Sequence, residues 1–319
     1  MAQDNAGVDI ECIIVDDSGV DNSMDIVRQM VDDYHGSICF ELLKHDVNRG
    51  LSAARNTGLC YATGEYVLFV DADDYIIENG LIKLLRAVER FPEVEVVKGN
   101  HVGREKMNVS HVPTKIIDND KLLELFYMCD IPAMVWNTLI KRSIIEKWRM
   151  TFRTGIVYED NLWSYHLYRH VKSFLFVNEE TYCYTDENED SITANKEIAN
   201  QIEYFSHFII IVEEQLSTFD IKHEVSFTLY VEMWLLQMLD KISKNKVKES
   251  MRTKVLHLRN QLTLKSLCHF RFILVAFELL MFWPLVRLTR IRWFRHNFYK
   301  IMKATNKIAM CSPLNLILR

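Results

Sequence analysis

The chain has 319 residues, 49% of them hydrophobic and 25% charged, which is the composition of an ordinary globular protein. Its net charge of −5 gives no overall attraction to nucleic acid. The seven cysteines form no C-x-x-C pair and are odd in number, which favours free thiols in a reducing compartment.

Strands and helices alternate in the first part of the sequence. Apolar and β-branched runs predict strands over residues 10–15, 40–43 and 66–70, and helical spacing predicts helices over 25–34 and 51–61. The third strand has five apolar or aromatic residues in a row, so it is predicted to be buried on both faces. This order predicts an α/β fold with a mixed, mostly parallel sheet flanked by helices.

The later part of the sequence becomes progressively more helical. Apolar patterns predict helices over 81–88, 122–128, 140–148 and 161–170, and strands over 94–97, 174–177 and 181–184. Strand signals are rare after about residue 195. We therefore predict an α/β domain over residues 1–194, a helical region over 195–267 and a separate tail over 268–319.

Three acids follow the third strand at its carboxyl end. Asp71 and Asp73 are two residues apart, so the alternation of a strand would direct both to the same side. Ligands of open α/β sheets bind at this edge, and two carboxylates suit Mg²⁺ or Mn²⁺ with phosphate and water completing the shell. The alternative is an acidic turn that only ends the strand.

Three ordered blocks of this sequence resemble the inverting family 2 glycosyltransferases of bacterial type, which have the GT-A fold. The blocks are I-E-C-I-I-V-D-D-S-G from residue 10, H-D-V-N-R-G-L-S-A-A-R-N-T-G from residue 45 and A-T-G-E-Y-V-L-F-V-D-A-D-D from residue 62. Further similarity lies in Trp136–Arg142 and Gly155–Asp160, so the resemblance covers about the first 195 residues.

The resemblance implies a site for a nucleotide-diphosphate sugar, most often a UDP-sugar. Asp73 would bind the metal and Asp71 the metal or the ribose, as the D-x-D motif of the family does. Further donor-binding residues would be Asp16 and Asp17 near the nucleobase and ribose, Asn48 in the following loop and Arg55 on the next helix. A helix start favours anions and a guanidinium pairs with phosphate oxygens. Turn chemistry for the two acids, and a solvated or acid-paired Arg55, are the alternatives.

The acid pair at residues 159 and 160 stands where the family places its catalytic base. Asp160 would accept the proton of the acceptor hydroxyl, and Glu159 would orient the acceptor or the base. Taken alone, the pair is also typical of a helix start. Trp136 is a weak acceptor candidate, because it would either stack on a sugar ring or belong to the core.

The first strand and helix of the family pattern have no counterpart here. The family opens with a V-x-V-I-I-P-x-Y-N-like strand, so we expect that this sequence begins about 30 residues into the pattern. Either the natural start lies upstream or the chain is a truncated, catalytically impaired form. The missing strand would be central in the sheet.

The tail combines basic and aromatic residues. After Glu278 the sequence has no acid, and an apolar run over 272–286 is shorter than the roughly 20 residues that span a bilayer. This predicts a segment that lies on an anionic membrane surface, with a buried helix as the alternative. We expect a cytoplasmic protein, peripheral on the inner face of the plasma membrane, with no nucleic-acid partner.

Together these features predict a metal-dependent, hexosyltransferase-like enzyme. It would move a sugar to a hydroxyl of a glycan or lipid-linked glycan, with inversion, in polysaccharide biosynthesis. One alternative is an impaired nucleotide-sugar-binding or scaffold protein. Another is a metal-dependent nucleotide hydrolase, which would not need the acids at 159 and 160.

Overall fold

The structure is a computed structural model that describes residues 7–103, 112–113, 115–185 and 198–218, and only isolated positions from 223 to 260. The chain divides into two compact units. The first unit comprises Met1–Phe126 and Asp130–Glu189, and the second comprises Tyr127–Cys129 and Asp190–Arg319. The predicted tail, residues 268–319, lies outside the described residues, and the predicted domain limits stay predictions.

The first unit begins with a small parallel sheet. Its elements are β1 (Glu11–Asp16), α1 (Ser23–Asp32), β2 (Cys39–Lys44) and α2 (Leu51–Tyr61). β1 and β2 pair along their whole length and form a two-stranded sheet of their own. Helix α2 packs on β1, where Gly58 lies against Val15. All four elements follow the sequence periodicity.

A five-stranded mixed sheet forms the rest of the first unit. Its strands are β3 (Tyr66–Leu68), β4 (Tyr75–Ile76), β5 (Val96–Val102), β6 (Thr138–Lys141) and β7 (Phe174–Cys183), in the order β3-β6-β5-β7-β4. The helices are α3 (Gly80–Arg90), α4 (Asn119–Tyr127), α5 (Arg142–Lys147) and α6 (Glu159–His170). The α/β class with a mixed sheet is confirmed. Among the described strands of this sheet, β5 and β7 pair in parallel, whereas β3–β6, β5–β6 and β4–β7 pair antiparallel, so this sheet is mixed rather than mostly parallel.

Helices cover both faces of the five-stranded sheet. On one face, Leu84 of α3 packs with Val97, Leu139 and Leu175 of three successive strands. Because strand residues alternate, Phe174 points to the opposite face, where its ring contacts Tyr168 of α6. This layering places the start of α6 beside the carboxyl ends of the strands.

Three local predictions were wrong, each for a physical reason. The strand predicted over 66–70 ends at residue 68 and is only half-buried, since β3 pairs with a strand on one side only within the described residues. The helix predicted over 140–148 begins two residues late, because residues 138–141 enter the sheet as β6. The two strands predicted over 174–184 are one strand, because β5 pairs with both parts of it, across register shifts between Gly99 and His101.

The second unit contains α7 (Ile198–Thr218). Its apolar face is buried along Phe208, Ile211, Val212 and Leu216, at helical spacing. Within the part of the chain that the structure describes, no helix has the length and hydrophobicity needed to cross a membrane.

Candidate active site

Asp17 fixes the loop that leads into α2. Its Oδ1 accepts hydrogen bonds from the Arg49 amide at 2.9 Å and faces His45 Nδ1 at 2.6 Å, and its Oδ2 accepts from the Gly50 amide at 2.7 Å. Burial disfavours the charge, but these hydrogen bonds outweigh it and lower the pKa of Asp17. The second ring nitrogen of His45 lies 2.8 Å from Thr57 Oγ1 on α2. Asp17 therefore ties β1 to the start of α2.

Two further residues predicted to bind the donor, Asp16 and Asn48, lie near this loop. Asp16 is buried at the end of β1, where its carboxylate accepts from the Gly19 amide at 3.0 Å and lies 3.6 Å from Lys44 Nζ. Asn48 is exposed on the loop between β2 and α2. Both stand at the carboxyl edge of the small sheet, and their donor-binding roles stay predictions.

The acidic loop, residues 71–74, is anchored by β7. Tyr182 of β7 accepts a hydrogen bond from the Asp71 amide at 3.1 Å and donates one to Asp74 Oδ2 at 2.8 Å. Asp74 Oδ1 also accepts from the Thr185 amide at 2.8 Å. Burial raises the pKa of Asp74, and the neighbouring acids Asp73 and Asp71 add to the effect. Asp74 thus anchors the loop, whereas Asp73 is exposed.

Arg55 brings the acidic loop and the acid pair at the start of α6 into one site. It lies on α2 and donates to Asp71 Oδ1 at 2.8 Å and to Glu159 Oε1 at 2.7 Å. Burial opposes its charge, but the carboxylates of Asp71 and Glu159 outweigh burial and raise the pKa of Arg55. The guanidinium also lies 5.3 Å from the ring centre of Phe152. Residues 55, 71 and 159 therefore form one charged cluster.

Asp160 stands next to this cluster, and the pKa of its carboxyl group is raised. Part of the residue remains exposed, yet burial of the carboxyl group is the largest cause that raises its pKa to about 7. Repulsion from Glu159 adds to the effect, and attraction to Arg55 opposes it. A carboxyl group with a pKa near 7 exchanges protons efficiently at neutral pH. Asp160 therefore has the chemistry that a general base needs.

The segment leading into α6 is held by a residue that the sequence did not reveal. Asn56 of α2 donates to the Phe152 carbonyl at 2.8 Å and accepts from the Phe152 amide at 2.7 Å. Phe152 also stacks on Trp163 with ring centres 4.9 Å apart. Tyr158 then adopts a left-handed conformation, φ 68°, directly before the acid pair. Adjacent residues of α2 thus contact the acids and the loop before them.

Trp136 lies in the interior, which favours the core alternative over the acceptor-stacking one. It is 4% exposed, and its ring lies parallel to that of Tyr182 with centres 4.7 Å apart. Beneath it, buried Lys98 donates to the Met134 carbonyl at 2.6 Å and to Thr138 Oγ1 at 2.7 Å. Burial lowers the pKa of Lys98 to about 7. In the sequence, the lysine within the apolar run of β5 is the feature that could have indicated this buried polar group.

The donor atoms of the acidic loop fit a hard divalent cation. Asp71 and Asp73 supply carboxylate oxygens, which Mg²⁺ and Mn²⁺ prefer. In the described ranges, no three or more His, Cys, Asp or Glu residues are grouped so that they could hold a metal. A cation here would therefore take most of its ligands from phosphate and water, as Mg²⁺ does in phosphate-transferring sites.

Comparison with known proteins identifies the family of this site. Residues 2–158 match the family model "Glycosyl transferase family 2". The chain is 28% identical to glycosyltransferase GlyA of Streptococcus pneumoniae over 188 residues, which are 55% of this chain and 26% of that protein. It is 29% identical to the poly(ribitol-phosphate) β-N-acetylglucosaminyltransferase TarP of Staphylococcus aureus, over 65% of this chain and 62% of that protein. The matched stretch thus spans less than two thirds of either relative.

The fold agrees with this family. The crystal structure of S. aureus TarS 1–349 in complex with UDP-GlcNAc superposes with a TM-score of 0.64, covering 94% of this chain and 83% of that one at 16% identity. The likeness shows a GT-A glycosyltransferase fold. Residues 2–158, just under half of the chain, thus match glycosyl transferase family 2, and the chain resembles that family.

Proposed function

We propose that the chain transfers a sugar from a UDP-sugar to a hydroxyl of a glycan or lipid-linked glycan, with inversion and with help from a divalent cation. The observation that carries the proposal is the bridge made by Arg55 between Asp71 and Glu159. It joins residues 88 positions apart in the sequence into one cluster of opposite charges. A donor-binding loop and an acceptor-activating acid pair have to meet in this way for a single displacement.

In the proposed reaction, Asp160 accepts the proton of the acceptor hydroxyl. The freed oxygen forms a bond to the anomeric carbon, while the bond from that carbon to the diphosphate oxygen breaks and its electron pair leaves with UDP. Attack from the face opposite the leaving group inverts the anomeric centre. A pKa near 7 allows Asp160 to be ionised in the resting site and to hold the proton afterwards.

The remaining residues bind and orient. Asp71 and Asp73 would hold the cation, which when bound neutralises charge on the leaving diphosphate. Arg55 keeps Asp71 and Glu159 in place and offers a guanidinium to phosphate oxygens. Asp16, Asp17 and Asn48 would face the nucleoside. Glu159 would orient Asp160 or the acceptor.

The names of similar proteins support the substrate class. TarP is named as an N-acetylglucosaminyltransferase that acts on poly(ribitol-phosphate), and the TarS structure holds UDP-GlcNAc. Both fit a UDP-sugar donor and a bacterial glycopolymer acceptor. From its basic and aromatic residues, we also propose that the tail over 268–319 lies on anionic lipid.

A second candidate function is binding of the nucleotide sugar without turnover. One observation favours it: among the described residues, β1 and β2 form a two-stranded sheet separate from the five-stranded one, and the residues proposed for the nucleoside end lie at its edge. A two-stranded sheet is marginal without further packing. Transfer assays distinguish this candidate from the enzyme, because both predict donor binding and only the enzyme predicts a glycosylated product.

Calorimetric titration with UDP is the first test. We expect binding in Mn²⁺ or Mg²⁺, none in EDTA and none in Asp73→Ala. The matched control is Glu93→Ala, which removes an exposed carboxylate before β5, at the opposite edge of the sheet. Equal UDP affinity with EDTA, or in the Asp73 variant, would refute the metal site. Labelled UDP-sugars and glycopolymer acceptors then test transfer, and release of free sugar without acceptor would indicate a hydrolase instead.

A further inference from the structure

We infer that Tyr182 is a positioning residue that sets the affinity of the acidic loop for its cation, an inference that rests on the proposed function. Tyr182 lies near the end of β7, 111 residues from Asp71 in the sequence. Its hydroxyl accepts from the Asp71 amide at 3.1 Å and donates to Asp74 Oδ2 at 2.8 Å. One oxygen atom thus joins the first and last residues of the loop.

The loop needs this anchor because its three acids repel one another. Asp71, Asp73 and Asp74 place three carboxylates within four residues of one loop, and like charges this close repel one another. A turn hydrogen bond from the Asp74 amide to the Asp71 carbonyl, at 3.1 Å, closes the loop on itself. The Tyr182 hydroxyl adds a donor to one acid and an acceptor to the backbone of another, so it offsets repulsion and fixes the turn that carries Asp73.

The ring of Tyr182 is held in place by Trp136. It is fully buried and lies parallel to Trp136 at 4.7 Å, with 6° between the ring planes. Trp136 belongs to the segment whose carbonyls accept from Lys98, and Lys98 Nζ lies 5.8 Å from the Trp136 ring centre. A buried tyrosine stacked on a buried tryptophan has little freedom to move its hydroxyl.

The inferred role is therefore geometric. A cation bound by few protein oxygens depends on where those oxygens stand, and loss of a group that orients the ligands lowers metal affinity by about 10- to 100-fold. Removing the Tyr182 hydroxyl takes two hydrogen bonds from the loop, while Asp71, Asp73 and Asp74 keep their carboxylates. We therefore expect a clear loss of cation affinity and a smaller loss of folding stability.

The test compares Tyr182→Phe with wild type in UDP titrations at a series of Mn²⁺ concentrations. We expect the variant to need about 10-fold more Mn²⁺ for half-maximal UDP binding. The matched control is Tyr168→Phe, which removes another buried hydroxyl, one that donates to the Pro132 carbonyl at 3.2 Å. It should shift the Mn²⁺ requirement less than twofold. Circular dichroism and thermal melting verify that each variant is folded.

A second variant keeps the inference open to refutation even if Tyr182→Phe does not fold. Asp74→Asn weakens the same hydrogen bond from the other side and should raise the Mn²⁺ requirement in the same direction. The double variant should be no worse than Tyr182→Phe alone, because the hydrogen bond that Asp74→Asn weakens is already absent in that variant. An unchanged Mn²⁺ requirement in the folded Tyr182 variant, or in Asp74→Asn, overturns the inference while the proposed function stands. If wild type binds no UDP with any divalent cation, both fall.

Discussion

Replacing Arg55 with methionine should destabilise the first unit strongly. Methionine keeps much of the length of the side chain and removes its charge, so Asp71 and Glu159 lose the partner at 2.8 Å and 2.7 Å. The Arg55 side chain is 9% exposed, that of Glu159 11% and that of Asp71 25%. Removing one partner of a buried ion pair costs roughly 3–5 kcal/mol. Because water reaches part of Asp71, we expect the lower end, about 3 kcal/mol.

Denaturation with urea or heat measures this loss directly. For a domain of this size, 1 kcal/mol corresponds to about 2–4 °C in Tm, so about 3 kcal/mol corresponds to roughly 6–12 °C. The control is Arg28→Met, which breaks an exposed pair with Asp25 of the same 2.8 Å length. Exposed pairs contribute at most about 1 kcal/mol, so the control should melt close to wild type.

A triple variant identifies the cause of the loss. If unpaired carboxylates destabilise the Arg55 variant, adding Asp71→Asn and Glu159→Gln should recover at least half of the lost stability. These changes remove the charges and keep the shapes of the side chains. The reasoning is refuted if Arg55→Met unfolds at the wild-type denaturant concentration, or if the triple variant recovers nothing.

Four further predictions concern catalysis and the tail. Asp160→Asn should keep its UDP affinity and lose about 10²- to 10⁴-fold in turnover, whereas Asp73→Ala should lose UDP affinity and turnover together. A loss of UDP affinity in the Asp160 variant would contradict the assignment of the base. Folding raises the pKa of Asp160 from 3.8 to about 7, so wild-type turnover should increase as the pH rises through 7. For the same reason, the contribution of Asp160 to the stability of the fold should decrease between about pH 4 and pH 7. The tests are pH–rate profiles and thermal melts of wild type and Asp160→Asn. Asn56→Ala should lower turnover more than UDP affinity, because it removes the hydrogen bonds that hold the Phe152 backbone near the base and leaves the donor loop unchanged. Equal losses of turnover in steady-state kinetics and of UDP affinity in calorimetry would refute this. Deleting residues 268–319 should abolish sedimentation with anionic vesicles and leave the melting of the first unit unchanged; pelleting that persists would disprove a membrane role for the tail.

Local periodicity was enough to predict much of the fold. Helix α2 spans the predicted residues 51–61, because the apolar face and the following Gly64 mark both its position and its end. The four residues of β6 carry no such signal. They become a strand because β3 and β5 offer hydrogen bonds on both sides, which is information held by distant parts of the chain.

The residues of the candidate site could be singled out from the sequence, but the contacts between them could not. The acids at 71, 73, 159 and 160 stand out through their neighbours in the sequence. The bond from Arg55 to Glu159, however, joins positions 104 residues apart. Likewise, Tyr182 reads as an ordinary alternating strand residue, and only the folded sheet brings its hydroxyl to the acidic loop. Burial of Trp136 also depends on packing that no local pattern encodes.

Helix α2 has a consequence for exchanging segments between related enzymes. Its neighbouring residues Arg55 and Asn56 point in directions about 100° apart, and they contact two different parts of the chain, the acid cluster and the loop at Phe152. A chimera that takes a foreign β1–β2 sheet with its own α2 would therefore break contacts to residues 71, 152 and 159 at once. A junction placed before residue 50 keeps the contacts of α2 to the acids and to Phe152, and one contact that it has to rebuild is that from His45 to Thr57.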